Sequence, residues 1–377
     1  MTTEAGSGTT TAQFRERLIA WLDENDLTPG PDHSLPAHIE QMSRVRRALY
    51  DAGWMRYGWP EEVGGLGGSP ILRMVVAEEV LGRNIAEPGP YSMMEVLVPT
   101  MISYARPELA AEMVPRYLRG EEHWCQGFSE PGSGSDLASL STKATPRGDG
   151  WVVSGQKVWT SFAQFSKRCV LLTRTGGQET PKHEGITAFF VDMDSPGITV
   201  RPLRTMHGVD EFCEVYFDDV VVPAERMLGN PGDGWRLAND LLPFERSTCF
   251  WQRIAYLFTR MDRLIADAAD AGQAGDAELG AAYLALHTVR CTSARTQHRF
   301  ADGAKLGAET SIDKVLLAGA EQRLYETARD VLPGVLELDE TGWRSEFLYA
   351  RSATIYGGTA EIQRNIIARR LLDLGKE

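Results

Sequence analysis

The hydrophobic period of this 377-residue chain changes twice, and few architectures accommodate that. From residue 12 to 122, apolar side chains recur at spacings of three and four: Ile39, Met42, Val45 and Leu49, then Ile71 or Leu72, Val75 or Val76, and Val80. A Gly- and Pro-dense stretch, "YGWPEEVGGLGGSP", breaks them and reads as a loop. From 123 to 233 short runs bounded by turn residues take over: "WVVSGQKVWT", "RCVLLTRT", "GITAFFVDMD", "ITVRPL" and "CEVYFDDVVVPA". Their β-branched and aromatic content predicts strands. Helical spacing returns from 234 to 377, over 276–301 and over 311–332, where Ile312, Val315, Leu316, Gly319 and Val331 suggest one buried stripe. The expectation is an α+β multidomain chain. An N-terminal helical domain precedes a middle antiparallel β-barrel or sandwich and a C-terminal four-helix bundle. Residues 1–11, small and polar, read as a mobile tail.

Composition narrows the function. A net charge of −13 with scattered Lys and Arg argues against nucleic acid or an anionic membrane as the main partner. The N-terminus shows no basic and apolar signal pattern, and no apolar run is long enough to span a bilayer. A soluble, cytoplasmic protein is expected. Cys125, Cys169, Cys213, Cys249 and Cys291 are far apart and read as buried free thiols, with no metal site. Neither G-x-G-x-x-G nor G-x-x-x-x-G-K-[ST] occurs, so a nucleotide cofactor must be held in another way.

Two segments carry the chemistry. In "WCQGFSEPGSGSD", Gly132, Gly134 and short hydroxyls let backbone N–H groups, Ser129 and Ser135 approach a flat or anionic group closely. Near the C-terminus, "ATIYGGTAEIQRNIIARR" places adjacent glycines, Gly357 and Gly358, just ahead of an amphipathic helix. In their α–β–α setting, "GFSEPGSGSD" and "IYGGTAEIQRNIIARRLL" resemble the acyl-CoA dehydrogenase family over nearly the whole chain after the tail. The resemblance implies the fold of that family and FAD-dependent α,β-dehydrogenation of an acyl-CoA thioester, with an electron-transfer protein as acceptor. It implies that Gln126, Phe128, Ser129 and Ser135 line FAD, that Ser135 also faces the CoA side, and that Trp159 forms a wall beside the flavin. Ser161, where relatives often carry Thr, lies near flavin N5, and Thr359 and Glu361 touch FAD after the double glycine.

Removing an α-proton from a thioester needs a carboxylate. Most relatives carry a Glu where this chain has Gly357. A minority carry the base on a bundle helix, within an E-R pair, and "NDLLPFERSTCF" supplies Glu245 and Arg246. Leu241, Leu242 and Cys249 at helical spacing would surround Glu245 with apolar groups and raise its pKa. The resemblance makes Glu245 the general base and Arg246 a substrate-side residue. Pro243 stands where many relatives have an Asp that contacts CoA, and it predicts a bend. His207 in "TMHG" reads as a loop or packing histidine.

Half of the cofactor site is missing from the sequence. Relatives supply an Arg-x-x-Phe-Gly and a Gln-x-x-Gly-Gly segment to the ADP half of a neighbour's FAD, whereas this chain has "FTRMDRLIADAADAGQAGDAELG" and "RDVLPGVL". That predicts the catalytic subunit of an α2β2 heteromer with a second acyl-CoA dehydrogenase-like chain, of the kind acting on steroid-type or other bulky acyl-CoA esters. A non-catalytic subunit and a homomeric branched- or long-chain enzyme are the alternatives.

Overall fold

The computed structural model describes residues 4–5, 9–177, 179–273, 275–338 and 342–375. Of the expected tail, residues 1–3 and 6–8 lie outside the described residues. Glu4–Ala5 (β1) pairs with Thr9–Thr10 (β2), and Thr11 already opens α1 (Thr11–Glu24). Thr10 caps that helix reciprocally: its hydroxyl accepts from the Gln13 N–H, and the Gln13 side chain accepts from the Thr10 N–H.

The N-terminal block packs α1, α2 (Leu35–Asp51), α3 (Ile71–Gly82), α4 (Pro88–Ser92), α5 (Met94–Tyr104) and α6 (Pro107–Leu118). The predicted stripe Ile39, Met42, Val45 and Leu49 is buried, as are Val75, Val76 and Val80.

The middle block is a sheet of eight strands: β3 (Trp124–Gly127), β4 (Lys143–Arg147), β5 (Gly150–Ser161), β6 (Arg168–Arg174), β7 (Ile186–Asp192), β8 (Ile198–Leu203), β9 (Phe212–Pro223) and β10 (Met227–Leu228). Spatial order is β10-β7-β6-β4-β5-β9-β8, with β3 beside β6. Most pairs are antiparallel, but β3 runs parallel to β6, with Cys125 opposite Cys169, and Lys143 pairs in parallel with Arg174. The sheet is thus mixed where a purely antiparallel one was expected, because β3 enters straight from the helical block without a hairpin. The long β5–β9 ladder has irregularities between Val153 and Gly155 and between Lys157 and Thr160.

The last block holds α7 (Gly234–Phe244), α8 (Phe250–Asp270), α9 (Ala277–Ala301), α10 (Thr310–Val331), α11 (Val335–Leu338), α12 (Trp343–Tyr349) and α13 (Ala360–Ile366). The expected α10 stripe is rotated. Asp313, Lys314, Leu317, Glu321, Leu324 and Ala328 face inward, whereas Ile312, Val315 and Leu316 are only partly buried and Gly319 is exposed. Val331 of the expected stripe is buried, and the inward face mixes Leu317 and Leu324 with charged groups that are paired inside the protein. Cys291 corrects another expectation: it is exposed on α9, while Cys125, Cys169 and Cys213 are buried.

One apolar core runs from the helical block through Val170, Leu172, Ala188 and Phe190 of the sheet to Leu237, Leu241 and Trp251 of the bundle. The three layers meet around the end of α7. No helix among the described residues is long and apolar enough to cross a membrane.

Candidate active site

The Gly-rich loop is anchored from beneath by a buried ion pair. Lys157 is fully enclosed, and its Nζ donates to Glu130 Oε1 over 2.8 Å and to the Phe128 carbonyl over 3.1 Å. Glu130 also accepts from the N–H groups of Ser141 and Thr142, at 2.7 and 2.8 Å. Burial opposes ionisation of Glu130, but Lys157 and these donors outweigh it and hold the carboxyl at about 2. Burial likewise lowers Lys157 to about 8 against the pull of Glu130. The exchange of backbone bonds between Glu130 and Ser133 then closes the turn, leaving Gly132, Gly134 and Ser135 at the surface.

The Val158 N–H donates to the Ser129 carbonyl over 2.9 Å, so the loop and β5 form one surface. At the second irregularity of β5, Trp159 takes φ +61° and stands 59% exposed, edge-on to Phe212 at 6.0 Å. A left-handed tryptophan at a bulge stores backbone strain of the kind that clusters at functional sites. Gln126 and Ser129 are partly buried beside it, Phe128 is buried, and Ser161 is partly buried at the end of the strand.

The bundle helix carries the E-R pair. Pro243 does not break it; α7 continues through a π-helical turn, Glu245–Cys249, into α8. Pro243 has no N–H to give, and the wider turn follows at once. Cys249 still feels the Glu245 charge, as expected, and a further residue joins them. Phe250, five residues on, shares the face that meets Gly357: a Cβ on Gly357 would lie 3.3 Å from Glu245 Oε1 and 3.2 Å from Phe250 Cζ. Burial raises the Glu245 pKa, with Arg246 and Lys314 opposing. Lys314, buried on α10, donates to the Ala353 carbonyl and lies 4.3 Å from the centre of the Tyr356 ring.

Arg246 is buried and donates through Nε to the Gly357 carbonyl over 2.8 Å, which also accepts from Gln363 Nε2 at 3.3 Å. Gly357 and Gly358 take φ +63° and +91°. A Cβ on Gly358 would sit 2.4 Å from Gln363 Nε2. The double glycine therefore makes a left-handed turn with its carbonyl held inward and its open face toward Glu245. Thr359 caps α13, accepting from the Ile362 N–H. Glu361 is exposed, 3.8 Å from Arg364.

Three family models match consecutive segments: the N-terminal domain of acyl-CoA dehydrogenase over 11–121, its middle domain over 125–220 and its C-terminal domain over 232–372. Acyl-CoA dehydrogenase IpdE1 of Mycobacterium tuberculosis is 36% identical over 386 residues, covering 97% of this chain and 98% of that one. The chain belongs to the acyl-CoA dehydrogenase family. Among solved structures, the Tcur3481-Tcur3483 steroid ACAD matches with a TM-score of 0.83 at 25% identity, covering 97% of each chain. The ChsE4-ChsE5 complex from Mycobacterium tuberculosis matches with a TM-score of 0.80 at 26% identity, covering 97% of this chain and 98% of that chain.

The enzyme is accordingly an oxidoreductase acting on acyl-CoA, with FAD as its cofactor. The surface of the loop and β5 fits that group: Trp159 is well exposed, and a Cβ at Gly132 or Gly134 would touch nothing within 4 Å, leaving room at the backbone. The structure joins the 126–135 loop to Trp159 and Ser161, and separately joins Glu245 and Arg246 to the 357–359 turn. No hydrogen bond among the described residues links the two groups. His207 is a packing residue, bonded to Thr205 Oγ1 at 2.8 Å and edge-on to Tyr349. Sequence reading missed Lys157, Glu130 and Lys314. Their signal is a lone Lys within an otherwise apolar strand or helix stripe, which demands a buried partner.

Proposed function

We propose that this chain is the catalytic subunit of a heteromeric acyl-CoA dehydrogenase in which Glu245 is the general base. The observation that carries the reading is the 3.3 Å between Glu245 Oε1 and the position of a Cβ on Gly357. The carboxylate occupies the space that a side chain at residue 357 would enter. Glu245 takes the α-proton of the thioester, and its apolar setting strengthens it as a base. Bound FAD supplies the acceptor for the β-hydride. Arg246 acts by holding the Gly357 turn, while the exposed Ser135 lies at the mouth of the loop, where a CoA arm can reach it. Trp159 and Ser161 support the ring side, and Gln126, Phe128, Ser129, Thr359 and Glu361 line the remainder.

Heteromeric assembly is supported by the missing ADP-binding segments and by likeness to the two-component Tcur3481-Tcur3483 and ChsE4-ChsE5 assemblies. Since one of these is titled a steroid ACAD, a bulky acyl group is the substrate class proposed. The test is Glu245→Gln in the co-purified, FAD-loaded complex. The amide keeps the shape, so acyl-CoA binding should persist while flavin reduction falls by about 10²- to 10⁴-fold. Wild-type reduction rates would overturn the assignment.

A further inference from the structure

Eight residues beyond Glu245, about 12 Å along the helix at its usual rise, Arg253 opens a polar cluster to which sheet and bundle both contribute. Arg253 Nη2 donates to Glu321 Oε1 over 2.6 Å, and its guanidinium lies 4.9 Å from the Tyr349 ring centre. Glu346 accepts from the Tyr325 hydroxyl at 2.8 Å and from Tyr256. These groups satisfy one another. Glu211, entering from the sheet, is not satisfied: its Oε1 is buried without a hydrogen-bond partner, and His207 Nε2 is 3.6 Å away, beyond bonding reach. The Tyr349 hydroxyl also makes no hydrogen bond among the described residues. Burial pushes the Glu211 carboxyl up to about 7; Arg253 opposes, and Glu87 and Glu346 reinforce.

A row of rings leads from the base to this place. Phe250, packed at Gly357, is 6.3 Å from Tyr356, which is 6.2 Å from Tyr349, which is 5.3 Å from His207. The cluster also keeps some access: Glu211, Arg253 and Glu346 retain 13%, 12% and 21% of their side-chain area. Groups from two layers thus meet in one partly accessible cluster. Native structures leave few buried acceptors unpaired, so Glu211 Oε1 calls for an occupant.

We infer that Glu211 and Tyr349 form a subsite for a hydroxyl group on the distal part of the acyl moiety. A hydroxyl both donates and accepts, matching Glu211 Oε1 and the Tyr349 O–H. A distal carboxylate would meet Glu211 and Glu346 with Arg253 already paired, and a plain hydrocarbon would leave Glu211 unpaired. The inference rests on the acyl-CoA dehydrogenase reading and names the substrate class within it: hydroxylated, extended acyl-CoA esters.

The test compares Kd values of the FAD-loaded enzyme, with its co-purifying chain, for decenoyl-CoA and ω-hydroxydecenoyl-CoA by calorimetry. At pH 8, where the Glu211 carboxyl is mostly charged, the hydroxylated thioester should bind at least about tenfold tighter, the worth of a hydrogen bond to a charged acceptor. In Glu211→Ala, and in Tyr349→Phe, which removes only one oxygen, the ratio should shrink to within about threefold. Equal affinities in the wild type, or a ratio that survives both substitutions, would overturn the subsite while leaving the reaction standing. Failure of both thioesters to bind would instead sink the dehydrogenase reading, and the subsite with it.

Discussion

Arg246 donates to the carbonyl of Gly357 across 111 residues of sequence, tying the helix that carries the base to the turn that faces it. The bond fixes one side of the site from the other. It also shows why the turn needs glycine: the carbonyl can point at Arg246 only if Gly357 takes its left-handed φ of +63°.

Gly357→Ala should therefore cost on two counts. A left-handed alanine loses about 1–2 kcal/mol, and its Cβ presses on Phe250 and Glu245 at 3.2 and 3.3 Å. A lower Tm by calorimetry together with slowed flavin reduction is expected; an unchanged Tm would show that the turn relaxes.

Lys314→Met should move the pH dependence of flavin reduction. Burial raises the Glu245 pKa while Lys314 and Arg246 hold it down, so removing Lys314 raises it further. The acid limb of a stopped-flow reduction profile should shift to higher pH. A limb in the same place would mean that Lys314 only packs against Phe250 and Tyr356.

Glu130→Ala should be among the most damaging substitutions outside the bundle, because it strands a buried ammonium on Lys157. Breaking one side of such a pair costs about 3–5 kcal/mol, measurable by urea unfolding. The sign with pH follows from the carboxyl held at about 2 against an ordinary 4.5. The folded state gains from Glu130 above pH 4.5 and loses that gain as the pH falls toward 2. A Glu130→Leu, Lys157→Met double variant, apolar throughout, should recover most of the loss at neutral pH.

The assembly prediction concerns FAD. Alone, the chain should purify with little bound flavin; with a sister chain carrying Arg-x-x-Phe-Gly, it should give an α2β2 assembly with one FAD per heterodimer. A ligand at 100 times its Kd stabilises its native host by about 2.7 kcal/mol, so added FAD should raise the Tm of the complex well above its effect on the lone chain. A stable homotetramer with one tightly bound FAD per subunit would refute heteromeric assembly.

The order of the three blocks, and the segments holding Trp159, Glu245 and the double glycine, were legible in the sequence, because hydrophobic period and glycine placement are local properties of the chain. The family resemblance rested on the same short-range strings. What the tertiary structure decided is which residues face one another. The π-helical turn after Pro243 placed Phe250 on the face that meets Gly357 beside the base, and Arg246 turned out to hold the Gly357 carbonyl. The buried face of α10 runs through Lys314 and Glu321 as well as Leu317 and Leu324, because those charges find their partners on other elements. A buried charge is stable only by virtue of a neighbour distant in sequence, and no local pattern records that neighbour.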